Sequence, residues 1–204
     1  MTRVGGVVLC GGRSSRMGRP KAWLPFGDET LLQRVVRVLG NVVQPIVVVA
    51  AADQELPPLP PTMRVARDEH DYAGPLAGMG IGLAALAADA DAAYVTACDV
   101  PLLRPEFVRT VISALGEFDA AVPREGEFYH PLAGVYRTSL APRIAELIGA
   151  GRMRPLYLIE SVRSRAIDVD ELRACDATLA SLRNLNTAEE YQAALREGNV
   201  SPEP

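Results

Sequence analysis

Residues 7–25 read VVLCGGRSSRMGRPKAWLP. An apolar, β-branched run meets two adjacent glycines and then four basic side chains, Arg13, Arg16, Arg19 and Lys21. Val4 to Cys10 reads as a strand buried on both faces, because it carries no polar alternation. The glycine pair ends it and lets the backbone turn toward whatever follows. The chain as a whole carries a net charge of -4, so the basic cluster is local and not a sample of a basic surface. A solvated helix face and a loop built around an anion both explain it at this point.

Working outward from this stretch, apolar runs alternate with helical stripes, the pattern of a mostly parallel sheet covered by helices. Thr30 to Leu39 has apolar residues at 31, 32, 35, 36, 38 and 39, a helix face with Thr30 as its cap. Pro45 to Ala52 is a second strand, ELPPLPPTM a loop, and Met63 to Ala66 a short third strand. GPLAGMGIGLAALAADAD reads as a helix loosened by glycines at its start, and Ala92 to Cys98 as the next strand. Further helices are expected at Pro105–Leu115, Ser139–Ile148 and Thr187–Arg196, with strands at Ala120–Val122, Pro131–Tyr136 and Arg165–Val169. With no repeat and no linker, residues 1–198 form one α/β domain with a Rossmann-like, mostly parallel central sheet, and NVSPEP (199–204) is a frayed tail.

Composition narrows the function classes. At 204 residues and 49% hydrophobic, the chain can bury one substantial core. The acidic balance argues against a nucleic-acid partner, which requires a surplus of basic surface. No apolar run reaches the length of a membrane span, and the first residues lack a signal-peptide pattern. Three widely spaced cysteines, Cys10, Cys98 and Cys175, form no disulfide framework and fit a reducing cytoplasm. Two distant histidines, His70 and His130, give no zinc spacing, and no G-x-S-x-G elbow supports serine hydrolysis.

In an open parallel sheet, ligands bind beyond the carboxyl ends of the strands. Three features fall there: the Gly11-Gly12 loop, the loop RDEHDYAGPLAG after the third strand, and CDVP after the Ala92 strand. The first loop lacks the G-x-G-x-x-G of dinucleotide binders. It is no P-loop either, since Lys21 stands three residues beyond Gly18 and precedes Ala22. Backbone N–H groups at Gly11 and Gly12 can still approach phosphate oxygens, with Arg16 and Lys21 adding cationic contacts. Asp99, at a strand end, suits magnesium or a turn before Pro101 equally. Asp68 carries the same two readings. The glycines at 74, 78, 80 and 82 suit close approach by a ligand or by another backbone, and Trp23 is expected to pack the loop onto the domain.

Taken in order, LCGGRSSRMGRPK resembles the L-x-G-G-x-S-x-R-M-G-x-x-K signature of Rossmann-like nucleotidyltransferases. DYAGPLAG, CDVP, HPLAGVYR and NLNTAEE are similar to successive motifs of one branch, the molybdenum cofactor guanylyltransferases (MobA type). The resemblance spans residues 4 to about 195. It implies a cytoplasmic enzyme that transfers GMP from GTP to the terminal phosphate of molybdopterin, with or without metal, releasing pyrophosphate. The catalytic residues implied are Lys21, Arg16 and Asp99. The nucleotide would be lined by Leu9, Cys10, Gly11, Gly12, Lys21, Asp68 and Asp99. Asp99 would hold the Mg²⁺ cofactor, and Asn184 and Asn186 would face the pterin.

Such chemistry needs positioning and charge neutralisation more than a nucleophilic side chain, so the absence of a Ser/His/Asp set is expected. Besides GTP and molybdopterin, the resemblance leaves room for transient contact with other cofactor-biosynthesis or delivery proteins. One departure stands out: the family commonly places Asn at the end of the second strand, where IVVVAAADQE sets Val49. Molybdopterin cytidylyl transfer, transfer to another small substrate, and non-catalytic nucleotide binding remain the alternatives.

Overall fold

The computed structural model describes residues 2–10, 20–69 and 74–201. The chain opens with β1 (Val4–Leu9), then a small hairpin of β2 (Pro25–Phe26) and β3 (Glu29–Thr30), helix α1 (Leu31–Gly40), β4 (Ile46–Ala51), β5 (Arg64–Asp68) and α2 (Pro75–Leu86). It continues through β6 (Ala92–Ala97), α3 (Pro105–Ser113), β7 (Ala120–Glu125), β8 (Phe128–Tyr129), β9 (Ala133–Arg137), α4 (Ala141–Gly149) and α5 (Pro155–Ser161). Strand β10 (Ser164–Asp168), the short α6 (Val169–Leu172) and α7 (Ala188–Gly198) complete it.

The main sheet runs in the order β10-β7-β9-β6-β1-β4-β5, with β8 paired to β7. Strands β5, β4, β1 and β6 are mutually parallel, and β7 pairs parallel with β10. Strand β9 runs antiparallel between β6 and β7. Successive α/β units step outward from β1 to β4 and β5, and the chain then crosses back to place β6 on the other side of β1. That reversal opens a crevice beyond the carboxyl ends of β1 and β6.

The glycines of β1 explain how closely the layers sit. A Cβ on Gly6 would lie 2.7 Å from Leu39 of α1, and one on Gly5 would lie 3.1 Å from Leu86 of α2. Helices therefore press on β1 from both faces. Val8 joins the core under α1, while Val7 and Leu9 join the core under α2. Helix α1 buries the predicted stripe and starts from a reciprocal cap: the Thr30 hydroxyl accepts from the Gln33 N–H, and the Gln33 side chain accepts from the Thr30 N–H.

In α2 the glycines serve packing against side chains, not the ligand or backbone approach expected from the sequence. A Cβ on Gly82 would lie 2.4 Å from Val7, and one on Gly80 would lie 2.8 Å from Ile144 of α4. Helix α2 is wedged between the sheet and α4, which accounts for its lack of a polar face.

Helix α5 was not expected. Its signal is Pro155 at the first helical position, a place where a missing N–H costs nothing. The predicted helix at Ser139–Ile148 begins instead with a tight turn over Thr138–Leu140, and α4 follows. Of the expected tail at 199–204, residues 199–201 are bonded: Asn199 closes α7 in the left-handed region, Val200 packs beside Gly27, and the Ser201 carbonyl accepts the Gly27 N–H at 3.0 Å. Residues 202–204 lie outside the described residues. Among the described residues, no helix is long and apolar enough to cross a membrane.

The tight contact at Gly82 carries a stability prediction. Gly82→Ala should cost about 1–3 kcal/mol through overpacking. Gly149→Ala, whose added methyl meets nothing within 4 Å, should stay within about 0.5 kcal/mol of the parent. Urea denaturation midpoints check both.

Candidate active site

The ladder between β1 and β6 pairs Leu9 with Ala97 and continues one step past both strands, where the Cys98 N–H donates to the Leu9 carbonyl at 3.0 Å. Cys10 and Cys98 are thereby neighbours at the floor of the crevice, each 5% exposed. The hydrogen bond to the Cys98 thiol, then burial, and the negative charge of Asp99 hold the Cys10 thiol well above its ordinary pKa. Both are packing groups, and a protonated Cys10 is a poor nucleophile.

Asp99 follows directly and is 8% exposed. Its two carboxylate oxygens are separately engaged: Oδ2 accepts from Lys21 Nζ at 2.7 Å, and Oδ1 accepts from Asn184 Nδ2 at 2.9 Å. Lys21 Nζ also donates to Asn186 Oδ1 at 3.0 Å. Four sequence-predicted residues from distant parts of the chain therefore meet in one cluster.

Local folding explains how each arrives. Lys21 begins a tight turn over Lys21–Trp23, with the Leu24 N–H returning to the Lys21 carbonyl. Ala22 is buried in the core beneath, and the Trp23 indole N–H donates to the Glu55 carbonyl at 3.0 Å. Trp23, 37% exposed, thus ties the turn to the loop after β4 through a polar bond, and the loop it was expected to pack lies outside the described residues. The asparagines precede α7, where Thr187 and Glu190 form a reciprocal cap and the Glu190 carboxylate also accepts the Asn186 N–H at 2.6 Å. A separate apolar cluster of Leu24, Phe26, Leu31, Leu185, Tyr191, Ala194 and Leu195 locks the two segments together.

Residues 6–165 match the family described as the MobA-like NTP transferase domain. Over 198 residues the chain is 40% identical to a Mycobacterium tuberculosis protein named "Probable molybdenum cofactor guanylyltransferase", covering 95% of this chain and 94% of that one. The chain belongs to the MobA-like NTP transferase family. It is a nucleotidyltransferase of α/β fold. Its fold is also that of molybdopterin-guanine dinucleotide biosynthesis protein A from Archaeoglobus fulgidus, with TM-score 0.77, 23% identity, and coverage of 97% and 98% of the two chains. A second Mycobacterium tuberculosis protein, solved as a complex with manganese, shares the fold with TM-score 0.61 at 20% identity, covering 96% and 99%.

Against this family's motifs, the remaining residues are distributed as follows. Arg16, Gly11 and Gly12 lie outside the described residues. Asp68 ends β5 at the same sheet edge as Asp99 and opposite Ala51. Strand order puts it three strands from β6, about 14 Å across at ~4.8 Å per strand. Leu9 turns its side chain under α2, where a Cβ on Gly78 would lie 3.2 Å away. The Leu9 side chain supports the floor of the crevice, so any lining of the nucleotide would come from its backbone. Val49 is buried in the same core, 3% exposed, so this position does not present a side chain to the crevice.

Sequence reasoning missed Gln54. Its amide folds back over the ends of two strands: Nε2 donates to the Cys10 carbonyl at 2.9 Å, and Oε1 accepts from the Ala51 N–H at 3.4 Å. Arg67 Nη1 adds bonds to the Ala51 and Gln54 carbonyls at 3.0 and 2.7 Å. The available signal was a lone amide residue just past a strand that ends in alanines. On the other side of Asp99, His130 occupies the turn before β9, whose first residue Ala133 pairs with Thr96 at the end of β6. Burial lowers the His130 pKa despite Glu125, so the imidazole is neutral at pH 7.

A divalent ion fits this donor set in one way. Among the described residues there is no group of three or more His, Cys, Asp or Glu side chains able to hold a metal alone. A single shielded carboxylate at a strand end suits magnesium, which keeps waters and takes phosphate oxygens to complete its shell.

Burial predicts the thiol chemistry. Cys175 is half-buried while Cys10 and Cys98 are buried, so one thiol per chain should react promptly with an alkylating reagent. The other two should become reactive only in denaturant, as counted by mass spectrometry.

Proposed function

We propose that this chain transfers GMP from GTP to the terminal phosphate of molybdopterin, with or without bound molybdenum, and releases pyrophosphate. The observation that carries the reading is the Lys21–Asp99 pair, set at the mouth of the β1/β6 crevice and shielded from water. A cation and a metal-binding carboxylate side by side match a triphosphate carrying its counter-ion. The name of the mycobacterial relative, at 40% identity over nearly the whole chain, supports the choice of nucleotide and acceptor.

The chain's own groups divide the work. Lys21 neutralises phosphate oxygens as charge builds on the leaving pyrophosphate, an effect strongest where water is excluded. Arg16 and the backbone of Gly11 and Gly12 complete the grip on the triphosphate. Asp99 would hold magnesium, which when bound would supply Lewis-acid neutralisation of the triphosphate; the manganese in the complex of a fold neighbour supports a divalent ion here. The acceptor phosphate is already ionised and needs no general base. The base lies on the β1–β4–β5 side of the edge, within reach of Gln54 and Asp68, and Gln54 supplies the amide that Val49 does not. The acceptor then enters on the β9–β7 side, beside His130 and the exposed Arg124. A cytoplasmic location is part of this reading, supported by GTP as the substrate and by the three free cysteines.

Cytidylyl transfer is the second reading, because the fold is shared with 4-diphosphocytidyl-2C-methyl-D-erythritol synthase from Anaerococcus prevotii, TM-score 0.69. Pyrophosphate release with Mg²⁺ and molybdopterin, run separately with GTP, CTP and ATP, tests the choice. Turnover with GTP alone is the expected result, and turnover with CTP alone would replace the base assignment. In the same assay Lys21→Ala should lower kcat by about 10²–10³-fold, while Asp99→Asn should abolish the Mg²⁺-dependent activity. Gln54→Ala should narrow the preference for GTP over CTP, since a site that loses a hydrogen-bonding partner discriminates less.

A further inference from the structure

We propose that Asn184 and Asn186 are positioning residues for the nucleotide half of the site, setting the Asp99 carboxylate and the Lys21 ammonium, and are not contacts to the pterin. The inference rests on the nucleotidyl-transfer reading above and changes what these two residues do within it.

The polarity of the two amides is complementary to the pair they touch. Asn184 presents its NH₂ group to the carboxylate, and Asn186 presents its carbonyl oxygen to the ammonium, at 2.9 and 3.0 Å. Both residues are solvent-facing, yet both amides are turned inward onto the charged pair. Between them, Leu185 is 3% exposed, and its N–H donates to the Asp99 backbone carbonyl at 3.0 Å. Three consecutive residues therefore hold the Asp99 main chain, the Asp99 carboxylate and the Lys21 ammonium. The grip is stiff, because Leu185 is fixed in the apolar cluster and the Glu190 carboxylate takes the N–H groups of Asn186 and Thr187.

This arrangement does specific work for each charge. A carboxylate offers about four lone-pair positions. The bond from Asn184 occupies one of them and thereby selects which face of Asp99 is presented to the crevice. Lys21 must exchange Asp99 for phosphate oxygens when nucleotide arrives. Asn186 can stay bonded to the ammonium throughout that exchange, so the lysine moves about a fixed neutral anchor. Partners that orient a metal-holding side chain are typically worth about 10–100-fold in metal affinity.

The experiment needs no acceptor. Mn²⁺ binding in the presence of GTP, read as loss of the free Mn²⁺ signal by electron paramagnetic resonance, is compared for the parent chain, Asn184→Ala and Asn186→Ala. Molybdopterin and GTP KM values are measured alongside, and circular dichroism checks the fold of these surface variants. Asn184→Ala should weaken Mn²⁺–GTP binding about 10–100-fold and leave the molybdopterin KM unchanged. Asn186→Ala should raise the GTP KM and lower kcat, again with the molybdopterin KM unchanged. Parent-like Mn²⁺–GTP binding in both variants would overturn the proposal, whether or not the molybdopterin KM rises. A parent chain that prefers another nucleotide would sink the guanylyl reading instead, and the comparison would then be made with that nucleotide.

Discussion

The pairing of β1 with β6 is the constraint from which the site follows. These strands are adjacent in space although the 82 residues 10–91 separate them in the chain, and their shared register sets where both end. Because Leu9 lies opposite Ala97, the next residues, Cys10 and Cys98, meet as small buried thiols, and Asp99 emerges at the rim. Slipping this ladder by one residue would turn β6 over and send its core side chains to the wrong face. The glycines of β1 let the neighbouring layers close on this strand, since a Cβ at Gly5 would lie 2.9 Å from the Pro45 carbonyl and one at Gly6 would lie 2.7 Å from Leu39 of α1.

A second, smaller constraint acts beside the first. The β2–β3 hairpin and α7 share one apolar cluster, and each carries a polar residue to the same point, Lys21 from the front of the chain and Asn186 from near its end. Tyr191 bonds its hydroxyl to the Pro25 carbonyl, and Phe26 lies so close to Gly198 that a Cβ there would sit 2.7 Å from its ring. The main sheet sets Asp99, while this cluster sets the cation that faces it. The ion pair forms where two separately stabilised bodies of packing come together.

The parts of this architecture that depend on local pattern were legible in the sequence. The β1 run, the α1 stripe with its Thr30 cap, and Asp99 at a strand end all follow from periodicity and terminal chemistry. Lys21 and Asp99 are named together at the nucleotide phosphates, yet the joining of Asn184 and Asn186 to them is not legible, because it depends on contacts between residues up to 165 positions apart. The asparagines were assigned to the pterin side by resemblance, and only the direction of their hydrogen bonds ties them to the charged pair. Val49 appeared to matter because strand alternation does not state which face of a doubly covered sheet reaches a crevice. Gln54 went unnoticed for a related reason, since its amide acts by folding back over the ends of two strands. The role of the α2 glycines was equally hidden, because the nearness of Val7 and Ile144 is a tertiary fact.

The anchoring of Asn184–Asn186 against the β2–β3 hairpin separates the scaffold from the alignment of its charges. The strands among the described residues all precede residue 169, so the segment that grips the charged pair supplies no strand to the sheet. Asp99 is set by the sheet and Lys21 by its own turn, while the hold on both charges comes from a separate, later segment. Loosening that segment would leave the sheet whole and release the two charges from their fixed orientation.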